Sequence, residues 1–95
     1  MGGQPSHRTL IFSATFEAGY AALEVREDLR APLSGLFWGI STRAEAFDFI
    51  GGIGQAKTDM AVSEQGAIIP RIWILFTILD DERVELLHIE AQTIE

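Results

Sequence analysis

The chain has no cysteine, which excludes a disulfide framework, thiol catalysis and thiolate metal sites. Histidine is nearly absent too. His7 and His88 stand at no recognised metal-ligand spacing, so no metal and no cofactor is expected. Basic residues are scarce, seven Lys and Arg against fourteen Asp and Glu, for a net charge of −7. Without a basic stripe to neutralise phosphates, nucleic acid is not an expected partner, and anionic membrane surfaces are disfavoured for the same reason. No apolar run reaches the length of a membrane span, and no charged-then-apolar segment marks a signal peptide. Together with the missing cysteines this predicts a cytoplasmic protein. There is no G-x-S-x-G elbow to raise a serine nucleophile. Glu24, Glu27 and Asp28 fall along one helix surface and do not face each other across a cleft. No catalytic residue is predicted, and the chain reads as a non-enzyme.

What is present is apolar. Ninety-five residues make one domain, and 47% of them are hydrophobic. That is rich for a chain with so little interior, so part of the apolar surplus is expected at an interface. Residues 8–95 form the predicted domain, behind a leader at 1–7 expected to be disordered. The leader Met1-Gly2-Gly3-Gln4-Pro5-Ser6 formally fits the M-G-x-x-x-S acylation pattern, but a flexible Gly/Pro segment accounts for it as well.

Arg8 to Ala14 reads as a strand through Leu10, Ile11 and Phe12. A helix is expected from Phe16 to about Leu29, capped by Thr15 and ended by Pro32. Leu33 to Ile40 is ambiguous between a short strand and a packed loop. Thr42 followed by Glu45 predicts a capping box for a second helix. Its apolar face would be Ala46, Phe47, Phe49, Ile50 and Ile53, and Gly51, Gly52 and Gly54 would weaken or end it. Lys57 to Gly66 is expected to be a short strand or loop, with a turn at 63–66.

The last third carries the strongest pattern. Ile72, Ile74, Phe76 and Ile78 alternate with Trp73, Leu75, Thr77 and Leu79, Asp80-Asp81-Glu82 turns the chain, and Arg83 to about Ala91 returns. Antiparallel pairing sets Ile74 near Ile89, Phe76 near Leu87 and Ile78 near Glu85 or Arg83 on one face. The other face then holds Trp73, Leu75 and Leu79 with Val84, Leu86 and His88. The fold class is α+β: an N-terminal strand and two short helices packed on an antiparallel sheet that ends in a long C-terminal β-hairpin. Two short helices cover one side of such a sheet, so a second subunit is the expected cover for the other. The predicted assembly is a homo-oligomer, a dimer or larger, through Trp73, Leu75, Leu79, Val84, Leu86 and His88. A different protein partner is also compatible with that face.

Three further motifs bear on function. Phe37 and Trp38, between Gly35 and Gly39, are candidates to line an aromatic ligand pocket. Gly51-Gly52-Ile53-Gly54-Gln55-Ala56-Lys57-Thr58 resembles a phosphate-binding loop of the G-x-x-x-x-G-K-T type, with Asp80 and Asp81 ending a later apolar strand. It departs at Ala56, where such loops need glycine. Asp80, Asp81 and Glu82 supply hard-cation oxygens but lack the spacing of a calcium loop and read as a solvated turn.

The opening Arg8-Thr9-Leu10-Ile11-Phe12-Ser13-Ala14-Thr15-Phe16-Glu17 and the closing Arg71 to Ile78, Asp80 to Glu82 and Arg83 to Ile89 resemble the two ends of RelE/ParE-type bacterial toxins. The likeness would span most of residues 8–92 and rests on pattern, not on a diagnostic motif. It implies a small bacterial α+β protein acting on messenger RNA or through protein–protein contact. Family members that cut messenger RNA are basic and use arginine, lysine, tyrosine or histidine near the end of the sheet. This chain is acidic and after Arg83 has only His88 of that kind, so no catalytic residue carries over. The leading expectation is a non-enzymatic binding or interaction module that self-associates. A RelE/ParE-like toxin or degenerate relative acting by protein contact is the alternative, and a nucleotide binder follows behind it.

Overall fold

The two described α-helices lie on one face of a five-stranded sheet. The structure, a computed structural model, describes residues 8–23, 26–58, 61, 62, 66 and 68–92. The expected leader at 1–7 and most of the expected turn at 63–66 lie outside them. The α+β class is as expected, with strands closing the chain as a long hairpin.

β1 (Thr9–Phe12) leads directly into α1 (Ala14–Leu23). Ser13, not Thr15, caps that helix: its Oγ accepts from the Phe16 amide at 3.1 Å, satisfying one of the donors every helix start leaves open. The same hydroxyl donates to the Leu87 carbonyl at 3.2 Å, which fixes the start of α1 against the C-terminal strand.

α2 (Arg30–Arg43) follows a single 3₁₀ turn at Glu27–Leu29. Here the structure corrects two expectations. Pro32 does not end a helix but sits in the first turn of the next, where its missing N–H costs no intrahelical bond. Leu33 to Ile40 is neither strand nor loop but the middle of α2. Leu33, Leu36 and Ile40 are buried there, and Phe37 packs against them. The expected helix from Thr42 is absent. Thr42 lies near the end of α2 and donates back to the Trp38 carbonyl at 2.7 Å.

Asp48 to Lys57 forms a β-hairpin, β2 (Asp48–Ile50) and β3 (Ile53–Lys57), not a helix. Gly51 and Gly52 are its two-residue turn, at φ of 58° and 83°. Positive φ at both positions is what a hairpin turn of the primed type requires, and glycine adopts it without strain. A short separate pair, β4 (Ala61–Val62) and β5 (Ile68–Ile69), precedes β6 (Arg71–Ile78) and β7 (Arg83–Gln92).

The main sheet runs β1-β7-β6-β3-β2. It is mixed, not purely antiparallel: β1 pairs parallel to β7, from Thr9↔Arg83 to Phe12↔Leu86. Parallel strands need a long crossover connection, and the helices and hairpins between β1 and β7 supply it. In the β6–β7 hairpin Ile74 faces Ile89 as expected, but Phe76 faces Leu86 and Ile78 faces Val84. A bulge at Leu87 accounts for the shift. One extra residue in β7 inverts its side-chain alternation, so Val84 and Leu86 share a face with Ile89.

That face is the core. Ile72, Ile74, Phe76, Val84, Leu86 and Ile89 meet Phe16 of α1 and the apolar side of α2. Phe12, Phe16, Tyr20 and Phe37 form an aromatic cluster at one end, with neighbouring ring centroids 4.7–6.2 Å apart. Phe47 and Phe49 pack edge-on to Phe76 at the other, at 5.7 and 5.5 Å.

Arg8 ties the N-terminal strand to the turn after α2 with both guanidinium nitrogens on the Glu45 carboxylate, and its Nε donates to the Asp80 carbonyl. That hydrogen-bonded pair holds the Glu45 carboxyl down at about 2, from an ordinary value of 4.5. Asp80 is also lowered, chiefly by Arg83 at 2.7 Å, and Asp28 by Arg26. Depressed folded-state values stabilise the fold above the unfolded carboxyl range, and that stabilisation is lost as pH falls through the folded values. The thermal midpoint of the wild type is therefore expected to fall more steeply between pH 5 and about 2 than that of Glu45→Gln. Parallel pH curves for the two proteins would remove the pair as a contributor.

Candidate functional site

Two surfaces qualify as sites: the sheet face that no described helix covers, and a cleft between the helices. Alternation along the strands sets which residues share the open face. Trp73 lies beside Lys57 and Glu90, Leu75 beside Gln55 and His88, and Thr77 beside Glu85. Ile53 and its partner Ile50 on β2 extend the face to the sheet edge. Trp73, Leu75 and Ile53 are half-buried, while Ile50 is 69% exposed. Leu79, one residue past β6, is also exposed.

Of the six residues expected at an interface, Trp73, Leu75 and His88 occupy this face and Leu79 lies at its corner. Val84 and Leu86 do not. Both are fully buried on the helix side, because the Leu87 bulge places them opposite Ile78 and Phe76. Ile50 and Ile53, which sequence reading assigned to a helix, replace them.

The open face is chemically mixed. Lys57, Arg71 and Arg83 balance Asp48, Glu85 and Glu90, three charges of each sign, so the acidic excess of the chain lies elsewhere. His88 Nε2 is 2.9 Å from Glu90 Oε1, and the His88 ring stands edge-on to Trp73 at 6.3 Å. The Trp73 indole Nε1 is shielded from solvent and has no hydrogen-bond partner among the described residues. An unmet buried donor costs about 1–3 kcal/mol.

The second site is a cleft of about 250 Å³ lined by Tyr20, Arg30, Leu33, Ser34 and Phe37. Phe37, one of the two expected pocket residues, forms part of it. Trp38 does not line it and is 61% exposed. Tyr20 lies on a segment expected to be helical, but Arg30 and Ser34, which complete the cleft with it, lie on α2, where the sequence predicts no helix.

The glycine-rich stretch is not a strand-to-helix loop: Gly51 and Gly52 make a hairpin turn, while Gly54 and Lys57 lie in β3. Its amides therefore serve the turn and the sheet ladder and do not converge on a ligand. The acidic turn is occupied by the chain itself. Asp80 accepts from the Glu82 amide at 2.8 Å and from Arg83 at 2.9 and 2.7 Å. No group of three or more potential ligands gathers a metal site among the described residues, and no described helix is long and apolar enough to cross a membrane.

Fold and sites together define an α+β domain in which, among the described residues, one sheet face carries no helix. Compared with known families, characterised proteins and solved structures, the chain matches none. The resemblance to RelE/ParE-type toxins accordingly rests on the quoted segments alone.

Proposed function

We propose that the protein is a non-enzymatic interaction module that pairs with a second copy of itself through the open face of its sheet. The observation that carries this reading is the composition of that face: Trp73, Leu75, Ile53 and Ile50 amid equal numbers of acids and bases. A two-fold interface places each patch against itself, which suits a surface that is apolar at its centre and balanced in charge. A strongly basic partner would be drawn instead to the acidic remainder of the chain, and a strongly acidic one repelled by it. The exposed apolar edge at Ile50 extends the same patch.

Sedimentation or light scattering tests this directly. The wild type is expected to run as a dimer at micromolar concentrations, and Leu75→Glu as a monomer with an unchanged circular dichroism spectrum. Leu75 sits at the centre of the patch, so its loss is expected to weaken association by at least ~30-fold, the equivalent of ~2 kcal/mol. Leu86→Glu, at a fully buried core position, is expected to unfold the protein instead. A wild type that remains monomeric at high concentration overturns the proposal.

A further inference from the structure

We propose that the cleft between α1 and α2 is a binding site for a small aromatic carboxylate, one ring bearing one anionic group. Arg30, Leu33, Ser34 and Phe37 fall at i, i+3, i+4 and i+7 along α2 and so project from a single helix face. Tyr20 approaches that face from α1, and its ring meets Phe37 edge-on at 5.7 Å. Behind these two rings stand Phe12 and Phe16, with Tyr20 stacked on Phe16 at an interplanar angle of 18°. The aromatic wall is therefore held by the core and does not have to be ordered by a ligand.

Polar groups lie at the other end of the cleft. Unlike the side chains of Arg8, Arg26 and Arg83, each of which holds a carboxylate, the Arg30 side chain makes no ion pair or hydrogen bond with any described residue. A guanidinium presents two parallel N–H donors that match the two oxygens of a carboxylate. The Ser34 and Tyr20 hydroxyls add donors to the same cleft. A single cation on a chain of net charge −7 suits a monoanion better than a doubly charged phosphate. The volume, about 250 Å³, falls below the ~300–1,000 Å³ of pockets that hold drug-sized ligands. One ring and one carboxylate fit within it. The cleft lies on the helix side of the molecule, opposite the open sheet face, so occupancy and self-association are separately measurable.

The test is a titration of the isotope-labelled protein with benzoate and phenylacetate, followed by amide chemical shifts, with benzyl alcohol and inorganic phosphate as comparison ligands. Saturable shifts at millimolar benzoate, concentrated at residues 30–37, are expected. Arg30→Gln is expected to weaken that binding roughly ten-fold or more, whereas Arg43→Gln, at the far end of the same helix, leaves it unchanged. A spectrum that otherwise overlays the wild type shows that the Arg30→Gln fold is intact. The proposal fails if benzoate gives no saturable shift, or if Arg30→Gln binds as tightly as the wild type. It also fails if benzyl alcohol or phosphate binds at the same residues with the affinity of benzoate.

Discussion

Gly54→Val is expected to destabilise the protein by about 3 kcal/mol and to lower its thermal midpoint by roughly 12–24 °C. Gly54 sits in β3 between Phe49 and Phe76, and the Phe76 ring lies directly over its backbone. A β-carbon at this position would come within 2.4 Å of Cζ, 2.6 Å of Cε2 and 2.8 Å of Cε1, all far inside van der Waals contact. The ring cannot swing aside cheaply. Phe76 is fully buried, and Phe47 and Phe49 stand edge-on to it. Valine is otherwise the better strand residue, so propensity alone predicts a gain at this site. Total stability for a domain of this size is about 5–15 kcal/mol, and a loss of this order removes a large part of it.

The obstruction at Gly54 is the far end of a side chain, which makes it removable. Gly54→Ala and Phe76→Leu are each expected to destabilise, but the double variant by at least ~1 kcal/mol less than their sum, because leucine vacates the space that alanine needs. Strict additivity in urea unfolding would show that the clash is relieved elsewhere and that the ring does not define the site.

How much of this was legible in the sequence depends on how far each signal reaches along the chain. The C-terminal hairpin was plain because eight alternating residues and an acidic turn are local features. The bulge at Leu87 was not. A single inserted residue leaves the composition of β7 unchanged while exchanging the faces of Val84 and Leu86, and only pairing with β6 reveals it. The α2 helix was in principle readable from Leu33, Leu36, Phe37, Ile40 and Ala44 at helical spacing. Pro32 and two glycines masked it, since proline in the first turn of a helix and proline after the last look alike locally. Gly51-Gly52 carries a hairpin signal that was outweighed by the apolar run around it, which fits a helix face and two short strands equally well. The candidate sites followed from these outcomes. Half of the open face was anticipated from the hairpin, whereas the cleft depends on Arg30 and Ser34 lying on a helix that was not expected.

Gly19→Val provides the opposite case to Gly54, with an expected loss of about 3 kcal/mol that no side-chain change restores. Gly19 lies on α1 where the helix passes β7, and a β-carbon there would stand 2.9 Å from the Ile89 carbonyl oxygen and 3.0 Å from its Cγ2. The nearer obstacle is backbone, in a strand anchored by its pairing with β6, so relief requires α1 to move away from the sheet. Ser13 opposes that movement by binding the Leu86 and Leu87 carbonyls at the start of the same helix. Gly19→Ala is the sharper test of sign. In a helix interior glycine is worse than alanine by about 1 kcal/mol, so propensity predicts stabilisation, while the contact with Ile89 predicts a net loss. At the adjacent exposed Ala18, the reverse change Ala18→Gly is expected to destabilise by about 1 kcal/mol, as propensity dictates. Combining Gly19→Ala with Ile89→Ala removes Cγ2 but leaves the carbonyl, and the pair is expected to remain near additive in urea unfolding. A stabilising Gly19→Ala would mean that α1 is free to shift away from β7, and that the close approach there does not hold the helix in place.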